Sequence, residues 1–361
     1  MNLSILKEVN VAANRVVCHT SNNKEDDFCQ TCVYDAGCLN EIRISNLIKA
    51  EFFFSEEEEK PSVPFYFVVD HQFIMLKDLN LSIVSTPIKY VLLRYNLNIS
   101  NYQPLSDYMA TVEYPHRFLS SMLDIYSQLL SSLLEIEKMN ICVFRVSADN
   151  IFIDRNSTTV ILSDFKNSIL DSEDSDESNR DFIRILKENT TSYTFKPIEI
   201  HLLHHLLKVN GSPLSYSSID EISTYFTEKM EFLNHFDKEY KTKYYHACVQ
   251  ELKSKYLNKP RNHIISEIRR ETRKTWDNFA LSILFLHIFE NMIQVFSLNN
   301  TIINELVLIL KQNLDPVPNQ RHTLSHTLNA VGTLLLKTQD WSFLRLTPKS
   351  KMKKLYERIV N

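Results

Sequence analysis

The sequence predicts an α+β protein of two unequal parts, a small β-rich one to about residue 98 and a larger helical one after it. Three observations carry this. Up to Tyr95, short segments rich in β-branched and aromatic residues alternate with polar turns. From Phe118 onward, apolar residues recur at the three-and-four spacing of helices. Within the helical part, Ile151 to Ile153 and Val160 to Leu162 flank the turn-forming Asp154-Arg-Asn-Ser-Thr, which reads as one small hairpin.

In chain order, the expected strands of the first part are Val16 to His19, Phe28 to Tyr34, Phe65 to Val69, Phe73 to Leu76 and Tyr90 to Tyr95. One amphipathic stretch interrupts them: Leu39 to Lys49 places Leu39, Ile42 and Leu47 on a helical face, with Glu41 near its start. The charge run Glu56 to Glu59 with Lys60, just before Pro61, reads as a solvated turn. Phe118 to Ile136 is a long helix with one buried stripe. Leu170 to Asp181 is acidic and polar, so a loop is expected there, with Ser172, Ser175 and Ser178 as sites an acidophilic kinase could modify. Further helices are expected near Tyr225 to Phe236, Tyr244 to Tyr256, Phe279 to Ile293, Ile302 to Leu310 and Leu324 to Leu336. Lys349, Lys351, Lys353 and Lys354 form a basic tail that could touch nucleic acid or an anionic surface.

Composition removes several function classes. Only three glycines occur in 361 residues, Gly37, Gly211 and Gly332, where average usage of roughly 7% gives about 25. Neither a dinucleotide fingerprint nor a Walker-A loop can be written with them. Any bound nucleotide is therefore held without a glycine-rich cradle. The net charge of -4 makes no general case for nucleic-acid binding. The opening residues lack the basic-then-apolar pattern of a secretory signal, and the longest apolar run, Phe279 to Phe289, is short for a bilayer. An intracellular, cytoplasmic protein without membrane contact is expected. Cys18, Cys29, Cys32 and Cys38, with His19, could form a zinc site because thiolates suit zinc and one Cys-x-x-Cys can share a turn. Buried or free thiols are the alternative.

The most informative constellation lies on the hairpin. Asn150 stands just before its first strand and Asp164 just after its second. A hairpin brings its outer strand ends together, so an amide oxygen and a carboxylate converge. Two hard oxygen ligands suit a magnesium ion that carries nucleotide phosphates. Asn and Asp also commonly finish turns.

With these residues in hand, the chain resembles the eukaryotic-type protein kinases from about Leu39 to Leu324. FRVSADNIFID (144 to 154) resembles a kinase catalytic loop, and SDFK (163 to 166) the magnesium-binding Asp-Phe-Gly segment. Lys196-Pro-Ile-Glu199 resembles the end of an activation segment. Trp276-Asp277-Asn278 resembles the start of the helix that anchors the large lobe, and LDPVPNQR (314 to 321) the segment whose arginine pairs with the activation-segment glutamate. The 77 residues between Glu199 and Asp277, with PIEIHLL and WDNFALSILFLHI, resemble kinase-like proteins of large cytoplasmic DNA viruses. The resemblance implies a bilobal protein-kinase-like fold: an N-lobe over 1–98, a C-lobe over 99–345 with a helical insertion at about 200–275, and a basic tail over 346–361. It implies metal ligation by Asn150 and Asp164 and nucleotide binding that also involves Glu41, in the position of the helix glutamate.

The departures bear on activity. Arg145 occupies the position of the catalytic aspartate, and a guanidinium has no acceptor with which to take a proton. Val143 replaces the expected histidine, Ser147 the catalytic-loop lysine, and Lys166 the glycine after Phe165. No Val-Ala-x-Lys strand precedes Glu41, although Lys24 has plausible spacing. General acid-base assistance alone is worth roughly 3 to 5 kcal/mol of barrier. Here the phosphate cradle, the lysine and the base are lost or displaced together. A pseudokinase is expected, a regulatory or scaffold protein with a protein partner, whose binding of ATP with magnesium or manganese, if present, is weak. An active atypical serine/threonine kinase and a zinc-stabilised interaction module on the same scaffold are the alternatives.

Overall fold

The computed structural model describes residues 3–10, 15–20, 27–53, 64–74, 90–96, 101–170, 176–188, 195–209, 213–298, 301–337 and 348–360, with side chains from residue 32 onward except at 53, 74 and 176–179. The run at 56–60, Lys24, Ser172, Ser175 and the side chains of Cys18, His19, Cys29 and Ser178 lie outside that description. The chain is α+β and divides into two compact units, 1–105 with 149–168, and 106–148 with 169–361. The first stretch of the β-rich unit ends at Leu105, and the hairpin belongs to that unit although residues 106–148 of the other unit precede it in the chain.

In that first unit, β1 (Leu3–Asn10), β2 (Arg15–Thr20), β3 (Asp27–Val33), β4 (Val68–Ile74) and β5 (Tyr90–Tyr95) form one antiparallel sheet in the order β1-β2-β3-β5-β4. Strand β5 coincides with the expected segment. The two expected segments between 65 and 76 become one strand from Val68, and Phe65 instead makes an isolated parallel bridge to Leu162. Helix α1 (Ala36–Phe53) follows β3 after only two residues. Asp35 starts it: its Oδ1 accepts the Cys38 N–H at 2.8 Å, supplying one of the orphan donors of the first turn. Ile44, Ser45 and Ile48 are buried along the helix, and the Ser45 hydroxyl accepts the Val68 N–H at 3.0 Å, fastening helix to sheet. Strands β6 (Tyr102–Pro104), β8 (Ile151–Asp154) and β9 (Val160–Leu162) make a separate three-stranded sheet in this unit. One core joins the pieces, with Cys38, Tyr66, Val68, Val91, Leu93, Tyr95, Phe152 and Ile161 packed together.

The second unit begins within α2 (Leu105–Thr111) and continues with α3 (Pro115–Lys138). The latter buries Phe118, Met122, Ile125, Leu129, Leu133 and Ile136, the stripe its spacing predicts. Strand β7 (Ile141–Cys142) pairs with β10 (Ile169–Leu170). Residues 176–181, expected as loop, open α4 (Asp176–Glu188). Acidic residues suit a helix N-terminus, and Phe182, Ile185 and Leu186 bury one face at helical spacing. Then come α5 (Ile198–Lys208), α6 (Tyr216–Lys229), α7 (Lys238–Tyr256) and α8 (Arg261–Glu271), so the long connection is helical throughout. The single helix expected over 225–236 ends at Lys229 and a 3₁₀ turn follows. Asp237 caps the next helix by accepting the Tyr240 N–H at 2.8 Å.

Helix α9 (Trp276–Phe296) runs beyond the apolar stretch that marked it. With the preceding turn it is long and apolar enough to cross a membrane by length and composition. Nearly all of its residues are buried within the unit, including polar Asp277, Asn278 and Ser282. Helices α10 (Ile302–Asn313) and α11 (Leu324–Lys337) match their expected spans. The expected basic tail is instead a 3₁₀ turn and α12 (Met352–Val360), which buries Met352 and Leu355 one turn apart. Positive charge marked this segment in the sequence; two apolar residues at helical spacing decide its structure.

Candidate functional site

The hairpin owes its turn to Asp154, whose Oδ1 accepts the N–H groups of Asn156 at 2.6 Å and Ser157 at 3.0 Å. Cross-strand pairs Ile151 with Leu162 and Ile153 with Val160 fix the register. At the open end, the N–H and hydroxyl of Ser163 both reach the Asn150 carbonyl, at 3.0 and 3.1 Å. Asn150, 3 % exposed, is thereby fixed opposite Ser163, with Asp164 the next residue. The hairpin register thus places the backbones of Asn150 and Asp164 at the same open end.

Beyond the hairpin the backbone turns sharply. Asp164 has φ 67° and ψ 71°, a left-handed conformation that is uncommon for a residue with a Cβ. A 3₁₀ turn, Phe165–Asn167, follows. Phe165 is buried edge-on to Phe65, their ring centres 6.4 Å apart. Helix α1 holds the same turn through Asn40, whose amide nitrogen faces the carbonyls of Phe165 (3.3 Å), Lys166 (3.0 Å) and Ser168 (2.8 Å). One buried amide gathers three carbonyls and so sets the path of the chain after Asp164.

The residue after Asn40 is Glu41, which is 0 % exposed, and among the described residues neither of its carboxylate oxygens has a hydrogen-bond partner in good geometry, the Phe165 N–H being the backbone donor that acts on it. Burial is the main reason its pKa is pushed up to about 8, and the Asp164 charge pushes the same way. The Lys166 ammonium and the Phe165 N–H pull it down without offsetting the rise. Glu41 is therefore mostly a neutral acid near pH 7. Tyr95 is raised as well, by burial first and by Glu41 next. All three predicted site residues lie in one unit, with Asn150 at the hairpin end and Glu41 and Asp164 in electrostatic contact.

A hard divalent cation that brings its own phosphate oxygens fits this donor set: an amide oxygen at Asn150 and a carboxylate at Asp164, with a buried carboxyl alongside. An all-protein metal cage does not, since no group of three or more His, Cys, Asp or Glu suited to a metal occurs among the described residues. The turn that would let Cys29 and Cys32 share a zinc ion is a strand, β3, in which positions three apart belong to opposite faces of the sheet. The Cys32 and Cys38 sulfurs lie 2.8 Å apart as free thiols.

The second unit holds the other sequence landmarks. Asp277, buried at the start of α9, accepts the backbone N–H groups of Val143 and Phe144, each at 2.8 Å. These bonds organise the segment that carries Arg145, whose side chain is exposed. Phe144 is left-handed at φ 64°, and the buried Lys196 ammonium lies 3.5 Å above its ring. Glu199 and Arg321 form a buried two-pronged pair, Nη1 to Oε1 at 2.5 Å and Nη2 to Oε2 at 3.0 Å. Trp276 Nε1 donates to the same Oε1 at 3.0 Å. The pairing expected for the arginine of 314–321 is thus formed.

Asn40 and Lys166 were not assigned site roles from sequence. Asn40 adjoins Glu41 on a helix that begins at an Asp cap, which is the only local signal available for it. Comparison with protein-family models finds none that matches the chain, and comparison with curated proteins finds no relative.

Proposed function

We propose that the protein is a serine/threonine protein-kinase homologue with impaired phosphotransfer, which binds a magnesium or manganese nucleotide weakly and acts through a protein partner. The observation that carries this reading is the placement of Asn150 and Asp164 at the open end of one hairpin, with the buried Glu41 carboxyl close enough to feel the Asp164 charge. The Asp277 contacts to Val143 and Phe144 and the Glu199–Arg321 pair support the same resemblance, because each joins two segments that the sequence singled out. Impairment follows from Arg145, which cannot accept a proton from a hydroxyl.

Phosphoryl transfer depends chiefly on positioning and charge neutralisation, so the remaining ligands favour binding over turnover. The cation, when bound, would neutralise phosphate charge between Asn150 and Asp164. Thermal shift with ATP and magnesium or manganese tests the reading. A small stabilisation is expected in the wild type and none in Asp164→Ala; an equal response in both removes the assigned site.

One observation favours the active alternative. Lys24 lies outside the described residues, but Lys166 places a cation among Glu41 and Asp164, where a displaced phosphate-binding lysine would be useful. Radiolabel transfer to a protein substrate, abolished by Asp164→Ala and by Lys166→Met, would establish it.

A further inference from the structure

The junction of β3 and α1 brings two thiols together. Cys32 is the penultimate residue of β3 and Cys38 is in the first turn of α1, with only two residues between the elements. Their sulfurs are 2.8 Å apart, against about 2.05 Å in a disulfide. Cys38 is fully buried, while Cys32 is half-buried and reaches the surface. The short connection, the Asp35 cap on the Cys38 N–H and the β3–β5 pairing at Cys32 hold both backbones in place. We infer that Cys32 and Cys38 form a peroxide-sensitive thiol pair that closes to a disulfide between the sheet and α1.

The chemistry is specified by the two environments. The Cys32 S–H donates to the Cys38 sulfur, which lowers the pKa of Cys38 and raises that of Cys32. Burial and the Asp35 charge oppose the Cys38 thiolate and Lys166 favours it, the Cys32 hydrogen bond being the largest influence and leaving the net direction down. Hydrogen peroxide, small and uncharged, is the oxidant, and the half-buried Cys32 marks the side from which it would approach. The Cys38 thiolate attacks one peroxide oxygen; the O–O bond breaks, hydroxide leaves, and Cys38 becomes a sulfenic acid. The Cys32 sulfur, already in contact, then attacks the Cys38 sulfur. The S–S bond forms, the S–O bond breaks, and water leaves with the Cys32 proton. Overall two thiols lose two electrons and one peroxide becomes two waters. The crosslink would fix the start of the helix that carries Asn40 and Glu41. It does not depend on whether a nucleotide binds.

The test is peptide mapping of the full chain after treatment with stoichiometric hydrogen peroxide and alkylation of the remaining thiols. Cleavage after Tyr34 or before Asp35 separates the two cysteines unless a disulfide joins them. A linked pair lighter by about 2 Da than the two free peptides, and released by dithiothreitol, is expected. The Cys29→Ser variant should keep the link. Cys32→Ser, a change at a half-buried position, should lose it and leave Cys38 as a sulfenic acid trapped by dimedone. Alkylation of both Cys32 and Cys38 after peroxide treatment would overturn the proposal, as would a Cys29–Cys38 link or equal linkage in urea-unfolded chain.

Discussion

Glu199 in the helical unit and Glu41 in the β-rich unit are both carried on helices and both shut away from water, at 1 % and 0 % exposure. Glu199 meets a guanidinium in two-pronged contact and an indole N–H. Glu41 meets no hydrogen-bond donor in good geometry and faces another carboxylate. A buried charge needs compensation, and a carboxyl without it keeps its proton instead. The first glutamate therefore ties three segments together. The second is held as an acid, and its burial costs the fold stability wherever the unfolded chain would ionise it.

The comparison can be broken from either side, and the largest effect is expected at Glu199. Arg321→Ala leaves a buried carboxylate with only Trp276 and should destabilise by about 3 to 5 kcal/mol in urea unfolding. Glu199→Leu combined with Arg321→Met should recover most of that loss, since the pair then leaves no uncompensated charge. A single Arg321→Ala variant within about 1 kcal/mol of wild type would show that Glu199 is not the anchor its contacts imply.

Glu41 should behave in the opposite way. Its folded pKa, about 8, lies above the value near 4.5 of an ordinary glutamate. At low pH both states are protonated and the site imposes no penalty. Between about pH 4.5 and 8 the unfolded chain releases the proton while the folded one keeps it, so stability falls as pH rises. The loss should be on the order of 4 kcal/mol by pH 8, and the Glu41→Gln variant should lack that slope. Parallel pH profiles for the two proteins in chemical denaturation would remove the assigned protonation state.

Smaller effects sharpen the picture. Asn40→Ala strands the Phe165, Lys166 and Ser168 carbonyls and should destabilise by about 2 kcal/mol, with faster amide exchange over 164–168 as its local signature. Asp164→Asn keeps the shape of a half-exposed side chain and removes one negative charge beside Glu41. It should change stability near pH 5 by less than about 0.5 kcal/mol while moving the Glu41 titration to lower pH. An infrared carboxyl band for Glu41 that titrates identically in both proteins would show that the two groups do not interact.

The pairs that these variants probe differ in how legible they are. Asn150 and Asp164 could be paired because a hairpin's register follows from local alternation and a turn sequence, and the observed Ile151–Leu162 register delivers it. Glu199 and Arg321 could be paired only through a resemblance, since 121 residues separate them and no periodicity reaches that far. Asn40 gave almost no signal, because its partners are backbone carbonyls that carry no sequence identity. The loop expected at 176–181 and the tail at 349–354 were judged by charge, whereas Phe182 with Leu186 and Met352 with Leu355 supply buried faces that outweigh it.

By itself the sequence determined the α+β class, the long helices, the hairpin, the shortage of glycine and the arginine at position 145. Each is local: a periodicity, a turn or a residue count. Only the tertiary structure decided that the hairpin joins the β-rich unit, that Cys32 meets Cys38, and that Glu41 is a buried acid against Asp164 rather than a solvated helix charge. Those outcomes depend on burial and on partners distant in the chain, and the protonation state of a carboxyl is set by its surroundings, not by its place in the sequence.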